Sequence, residues 1–204
     1  MARKKKIQNK KSNILIFCIV FLKNVLYYER ISMEVISMLI EFRFKNYRSF
    51  RDEAVLSMEA TGLSSFKNCL IPLSSTVKLL PAIAIYGKNG GGKSNVIRAF
   101  WLAVQFIRNA QRTQHERAVV PVNPFALNDY SKDEPTEFEL FFRTTVSEYR
   151  YILHVKRDIV LYESLDRVKL ETGRKSALFI RDENGTVLKG DFARLKVSDE
   201  LSKT

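Results

Sequence analysis

The chain has 204 residues, 46% apolar and 27% charged; that is one domain and a little more, with a composition that excludes wholesale disorder. Its two cysteines, Cys18 and Cys69, cannot build a disulfide framework or a Cys-rich zinc site and point to a reducing, cytoplasmic setting. The 34 basic and 22 acidic residues leave a net charge of +12, as expected of a chain that meets nucleic acid, an acidic surface or a phosphorylated ligand.

Half of that surplus lies in residues 1–37, which hold eight basic and two acidic side chains. The basic start Arg3 to Lys11 runs into the apolar stretch Ile14 to Leu22, the shape of a signal-peptide n-region and h-region. The apolar run is far short of the ~20 residues a spanning helix needs, and no small-residue cleavage site follows it. Three readings stand: a secretory or anchoring signal, a peripheral basic-apolar helix, or an extension upstream of the fold. The expectation is an extension outside the fold, without stable membrane association, followed by the folded body over 38–204. That body carries 26 basic and 20 acidic residues and is only mildly basic.

From Leu39 to Lys45 apolar and polar residues alternate, which predicts a half-buried strand; a turn at 46–50 leads to a second strand within 53–59. The Ser- and Pro-containing stretch 61–75 predicts a loop or irregular arm. Leu79 to Tyr86 is apolar without alternation, which predicts a strand buried on both faces. From Lys93 to about Arg112, Val96, Phe100, Val104 and Ile107 recur at helical spacing, with Ile97 and Trp101 widening the stripe and Arg98, Gln105, Arg108 and Arg112 largely opposite. After a polar linker with Pro121 and Pro124, short β-rich runs follow at 137–142, 149–155 and 159–165. Two further runs flank Asp182-Glu-Asn-Gly185, a hairpin turn signal.

Between the apolar run and the helix lies Gly87-Lys-Asn-Gly-Gly-Gly-Lys-Ser94, a complete Walker A sequence. The pattern arises by chance in about 1% of chains this long at average residue usage; here it also has an apolar run before it and an amphipathic helix after it. Gly87, Gly90, Gly91 and Gly92 let the backbone curl its N–H groups onto a phosphate, and with Lys88, Asn89 and Asn95 they make up the candidate cradle. The following helix N-terminus favours an anion. Lys93 is the candidate cation for the β- and γ-phosphates and Ser94 the candidate Mg²⁺ ligand. ATP and Mg²⁺ are therefore the expected cofactors. A small GTPase is excluded by the lack of an Asn/Thr-Lys-x-Asp base-reading motif, and a nucleoside kinase by the β-rich downstream region.

Phe42-Arg-Phe-Lys-Asn-Tyr-Arg-Ser-Phe50, followed at a distance by Ile85-Tyr-Gly-Lys-Asn-Gly-Gly-Gly-Lys-Ser-Asn95, resembles the opening of ABC-type ATPase heads. These are AAA-family ATP-binding proteins related to the structural-maintenance-of-chromosomes, RecF-type and overcoming-lysogenization-defect ATPases. Asn123-Pro-Phe125, Pro135 to Leu140 and Leu161 to Leu165 are most similar to the abortive-infection-associated bacterial members. The resemblance implies an α/β fold, the N-terminal lobe of such a head with an antiparallel β portion. It also implies that Asn46, Arg48 and Ser49 lie near the phosphates. A homodimer or the C-terminal half of the same ATPase is the implied partner, with DNA or a nuclease effector downstream and phage defence as the setting.

The ABC signature, the Walker B Asp-Glu and the switch histidine of that family have no counterpart here. Ile159-Val-Leu-Tyr-Glu163 has one carboxylate and reads as a hairpin strand, and His115 and His154 lack ligand partners at metal spacing. No catalytic residue is assigned. The chain is expected to stop inside the first lobe. Three functions remain open: an ATPase or part of one, a nucleotide-binding module or truncated product without turnover, and a basic DNA-binding structural protein.

Overall fold

The computed structural model describes residues 38–62, 67–109, 121–157 and 159–194. The apolar run 14–22, Cys18, Arg112 and His115 lie outside the described residues. The backbone assembles around one seven-stranded antiparallel sheet in the order β2-β1-β5-β6-β7-β8-β9. Its strands are β1 (Met38–Lys45), β2 (Ala54–Ser57), β5 (Thr136–Arg143), β6 (Ser147–Lys156), β7 (Ile159–Lys169), β8 (Lys175–Asp182) and β9 (Gly185–Leu188). A small arm, β3 (Ile71–Pro72) with β4 (Lys78–Leu79), follows β2 and is held to β5 by Arg143 donating to the Leu73 carbonyl.

The period-2 patterns decide which face is inside. Phe138, Leu140 and Phe142 alternate with Glu137, Glu139 and Phe141 on β5, and Tyr149, Tyr151, Leu153 and Val155 occupy the same face of β6. Helix α1 (Lys93–Asn109) covers that face with Ala99, Leu102, Ala103 and Val104, all buried. Phe42 of β1 is fully buried at the centre, its ring 5.3 Å from Phe100, 5.4 Å from Phe44 and 6.4 Å from Phe138. The opposite face is a charged lattice in which Arg43 pairs with Glu41, Lys45 with Glu137 and Arg150 with Glu139. Arg43 and Arg150 also lie over the ring of Phe141. Every sign is matched within that lattice, so it makes no single-sign site.

Two expectations change. The run Leu79 to Tyr86 is not a strand buried on both faces: only its start is paired, Leu79 with the arm and with Glu59, and the Leu80 N–H with the Met58 carbonyl at 2.7 Å, while residues 82–88 belong to no described strand and are exposed. An apolar run is buried only where neighbours flank it, and no described strand lies beside residues 82–86. The helical stripe Val96, Phe100, Val104 and Ile107 packs on the core as expected, but it widens on the other side: Ala99, Leu102 and Ala103 are buried, while Ile97 and Trp101 are 65% and 46% exposed.

Strands β6, β7 and β8 hold a polar cluster around the buried Glu163. Register sets Leu153, Glu163 and Arg181 side by side on β6, β7 and β8. The Tyr151 hydroxyl donates to Glu163 Oε1 at 2.6 Å, and Arg181 donates to Glu163 Oε2. Burial, then the neighbouring Glu163 charge, push the Tyr151 hydroxyl well above its usual titration range. Asp182 and Gly185 close the β8–β9 hairpin as a paired turn, which is the hairpin expected from the sequence.

Candidate nucleotide-binding site

The Walker A segment follows the extended run 82–86 and turns at Lys88–Gly91, where the Gly91 N–H donates to the Lys88 carbonyl at 3.1 Å. Gly90 and Gly92 have φ of 79° and 84°, a region in which a side chain costs ~1 kcal/mol or more. Gly92 is constrained twice over, because a Cβ there would lie 3.0 Å from Phe50 Cζ and 3.1 Å from Ser49 Oγ. Helix α1 then begins at Lys93, with no acidic residue in its first turn. Its positive end is left for an anion.

The Lys93 ammonium donates to the carbonyls of Gly87 and Lys88, each at 2.7 Å. That folds its side chain back over the loop, so that an incoming phosphate oxygen competes with these carbonyls for the ammonium. Lys88, Asn89, Gly90 and Ser94 are exposed. From Ala60 to His115 the sequence holds seven cations and no Asp or Glu, so no carboxylate from this stretch opposes a phosphate or assists its chemistry. These observations fit a nucleoside triphosphate with its metal: a loop of N–H groups, a tethered cation, and a hydroxyl at the second position of the helix.

The turn 46–50 lies directly against this loop. Asn95 Nδ2 donates to Ser49 Oγ at 2.9 Å, and the Phe50 ring backs Gly92. Arg48 is half-buried, with Nε donating to Tyr47 Oη at 3.1 Å and the guanidinium 5.6 Å from the Tyr47 ring centroid. Asn46 behaves differently. It is 3% exposed, and its amide nitrogen donates to the carbonyls of Ser131, Glu134 and Pro135 at 2.8, 2.9 and 3.2 Å. Its Oδ1 accepts from the Phe125 N–H at 3.0 Å. Both ends of that amide are used inside the fold.

No local signal marks Phe50 as the packing partner of Gly92, or the segment around helix α2 (Asp129–Asp133) as the partner of Asn46. Both are contacts across tens of residues. Glu163, the nearest imitation of a Walker B acid, is 5% exposed and locked in the Tyr151–Arg181 cluster. His154 is paired only with the Tyr162 ring, 5.4 Å away, and no group of three metal-ligating side chains occurs among the described residues. No described helix is long and apolar enough to cross a membrane.

A protein-family model of an AAA domain, AAA_21, matches residues 82–196, from the extended run through the Walker A segment to the end of the sheet. The chain belongs to the AAA_21 family. That family's description refers to the AbiEii toxin and type IV toxin–antitoxin systems. No curated protein and no solved structure gives a match. As an AAA_21 member the chain is an ATP-binding P-loop ATPase domain of the α/β class, here with a mostly antiparallel sheet. The match leaves out residues 38–81, and with them the 46–50 turn that packs on the loop.

Proposed function

We propose that this chain is the Walker A-bearing part of an ABC-type ATPase head, in the branch related to the structural-maintenance-of-chromosomes, RecF-type and overcoming-lysogenization-defect ATPases. It binds ATP and couples that binding to a conformational cycle acting on nucleic acid or on a defence effector. The observation that carries this reading is the seating of the Asn-Tyr-Arg-Ser turn against the Walker A loop through Ser49–Asn95 and Phe50–Gly92. AAA_21 membership supports it from an independent direction.

In this reading the N–H groups of Gly87 to Asn95 wrap the phosphates, and Lys93 exchanges a loop carbonyl for a phosphate oxygen. Ser94 holds the Mg²⁺, which neutralises charge on the β- and γ-phosphates. Arg48 and Ser49 approach from the adjoining turn. The extended residues 82–87 form the edge on which further strands add, supplied by the C-terminal half of the same ATPase or by a second copy. Ile83 and Ile85, 36% and 37% exposed beside unpaired backbone, support that edge.

Hydrolysis needs a carboxylate to align water and a surface over the γ-phosphate. In this reading both come from outside the described residues, because Glu163 is held by Tyr151 and Arg181. The pure 204-residue chain is therefore expected to bind MgATP and to release phosphate no faster than its Lys93→Ala variant. A steady-state phosphate-release assay decides between binding and turnover. Robust release that Lys93→Ala abolishes would overturn the assignment of the missing acid to another segment, and Glu163→Gln would be the next variant to assay.

A further inference from the structure

The 46–50 turn is clamped on two sides. On one side it touches the Walker A loop, where Asn95 Nδ2 donates to Ser49 Oγ at 2.9 Å and Phe50 and Ser49 fill the space that a Cβ on Gly92 would need. On the other, the four Asn46 side-chain bonds and the Arg48 N–H to Asn123 carbonyl bond, at 2.9 Å, tie it to residues 123–135. The Asn46 carbonyl also accepts from the Thr136 hydroxyl at 2.7 Å. Asn46 and Arg48 both have left-handed backbone, φ 54° and 52°, so the turn has few alternative shapes and moves as a unit. The segment it holds carries Leu127 and Tyr130, which are 86% and 87% exposed.

We propose that Asn46 is a positioning residue that couples occupancy of the phosphate cradle to segment 121–135, so that ATP binding sets the order of the surface carrying Leu127 and Tyr130. This rests on the reading of 87–95 as the ATP site. A phosphate that draws Lys93 off its loop carbonyls reshapes Gly90–Gly92. A shift of this loop toward the turn meets Phe50 and Ser49 and pulls on the Ser49–Asn95 bond, and the turn then loads the Asn46 amide. Coupling of this kind is reciprocal, so loosening 121–135 must also weaken ATP binding.

Hydrogen–deuterium exchange on the full chain, with and without saturating MgATP, reads the coupling directly. In wild type, MgATP is expected to slow exchange at 87–96 and, by about tenfold, at 123–136. Asn46→Gly keeps the left-handed backbone and removes all four side-chain bonds. It is expected to retain the response at 87–96, lose the response at 123–136, and bind ATP about tenfold more weakly. Thr136→Val keeps the side-chain shape and removes only the bond to the Asn46 carbonyl; it is expected to weaken the response at 123–136 and gives the readout if the glycine variant fails to fold.

A wild-type response confined to 87–96, or a response at 123–136 that survives both substitutions, overturns the proposal and leaves the ATP site standing. No response at 87–96 overturns the ATP site and the coupling together.

Discussion

Lys93→Ala is expected to weaken MgATP binding by about 10- to 150-fold. A charge-assisted hydrogen bond to phosphate is worth ~1.5–3 kcal/mol, and each 1.4 kcal/mol is about tenfold in affinity. In the protein the ammonium rests on the Gly87 and Lys88 carbonyls at 2.7 Å. Its contribution to phosphate binding is therefore net of a bond exchanged, which places the loss inside this range and not above it. The variant should fold normally, since the tether lies in an exposed loop. Isothermal titration with MgATP measures the ratio, and equal affinities in wild type and variant would remove Lys93 from the site.

Phe42→Ala is expected to cost about 3–5 kcal/mol of folding stability. The side chain is fully buried where β1 meets α1, in contact with three other rings. The cavity left behind borders Phe100 and Phe138, whose rings are held by their own neighbours and cannot collapse into it. Phe42→Leu, which keeps most of the volume, should cost far less. Chemical denaturation gives both values; a loss below about 1 kcal/mol for the alanine variant would mean that the helix does not pack on β1 as described.

The strands after Pro135 were legible because each alternates on one sheet face, and the hairpin at Asp182–Gly185 because its turn chemistry is local. The Walker A loop was legible for the same reason: glycines, lysine and serine act within eight consecutive residues. Burial of the Leu79 to Tyr86 run was not legible, because an apolar stretch records a need for neighbours and not where they come from. The inward face of α1 was legible in Val96, Phe100, Val104 and Ile107 but not in Ala99 and Ala103, which carry little weight in an apolar stripe. The Tyr151–Glu163–Arg181 cluster depends on register across two bulged strand pairs, at His154/Val155 and Leu165/Asp166, and a bulge leaves no reliable mark in one sequence. Asn46 was singled out by resemblance as lying near the phosphates, and nothing local marks that its amide bonds carbonyls 85 to 89 residues distant in the chain.

The central claim is that residues 87–95 form a phosphate cradle. Backbone amide shifts of the full chain, recorded by NMR during a titration with MgATP, test it most directly, because the N–H groups are themselves the proposed ligands. The predicted result is a saturable set of shifts centred on Gly90, Gly91, Gly92, Lys93 and Ser94, extending to Ser49 and Phe50 and lost in Lys93→Ala. Shifts that miss 87–95, or none at saturating nucleotide, would contradict it.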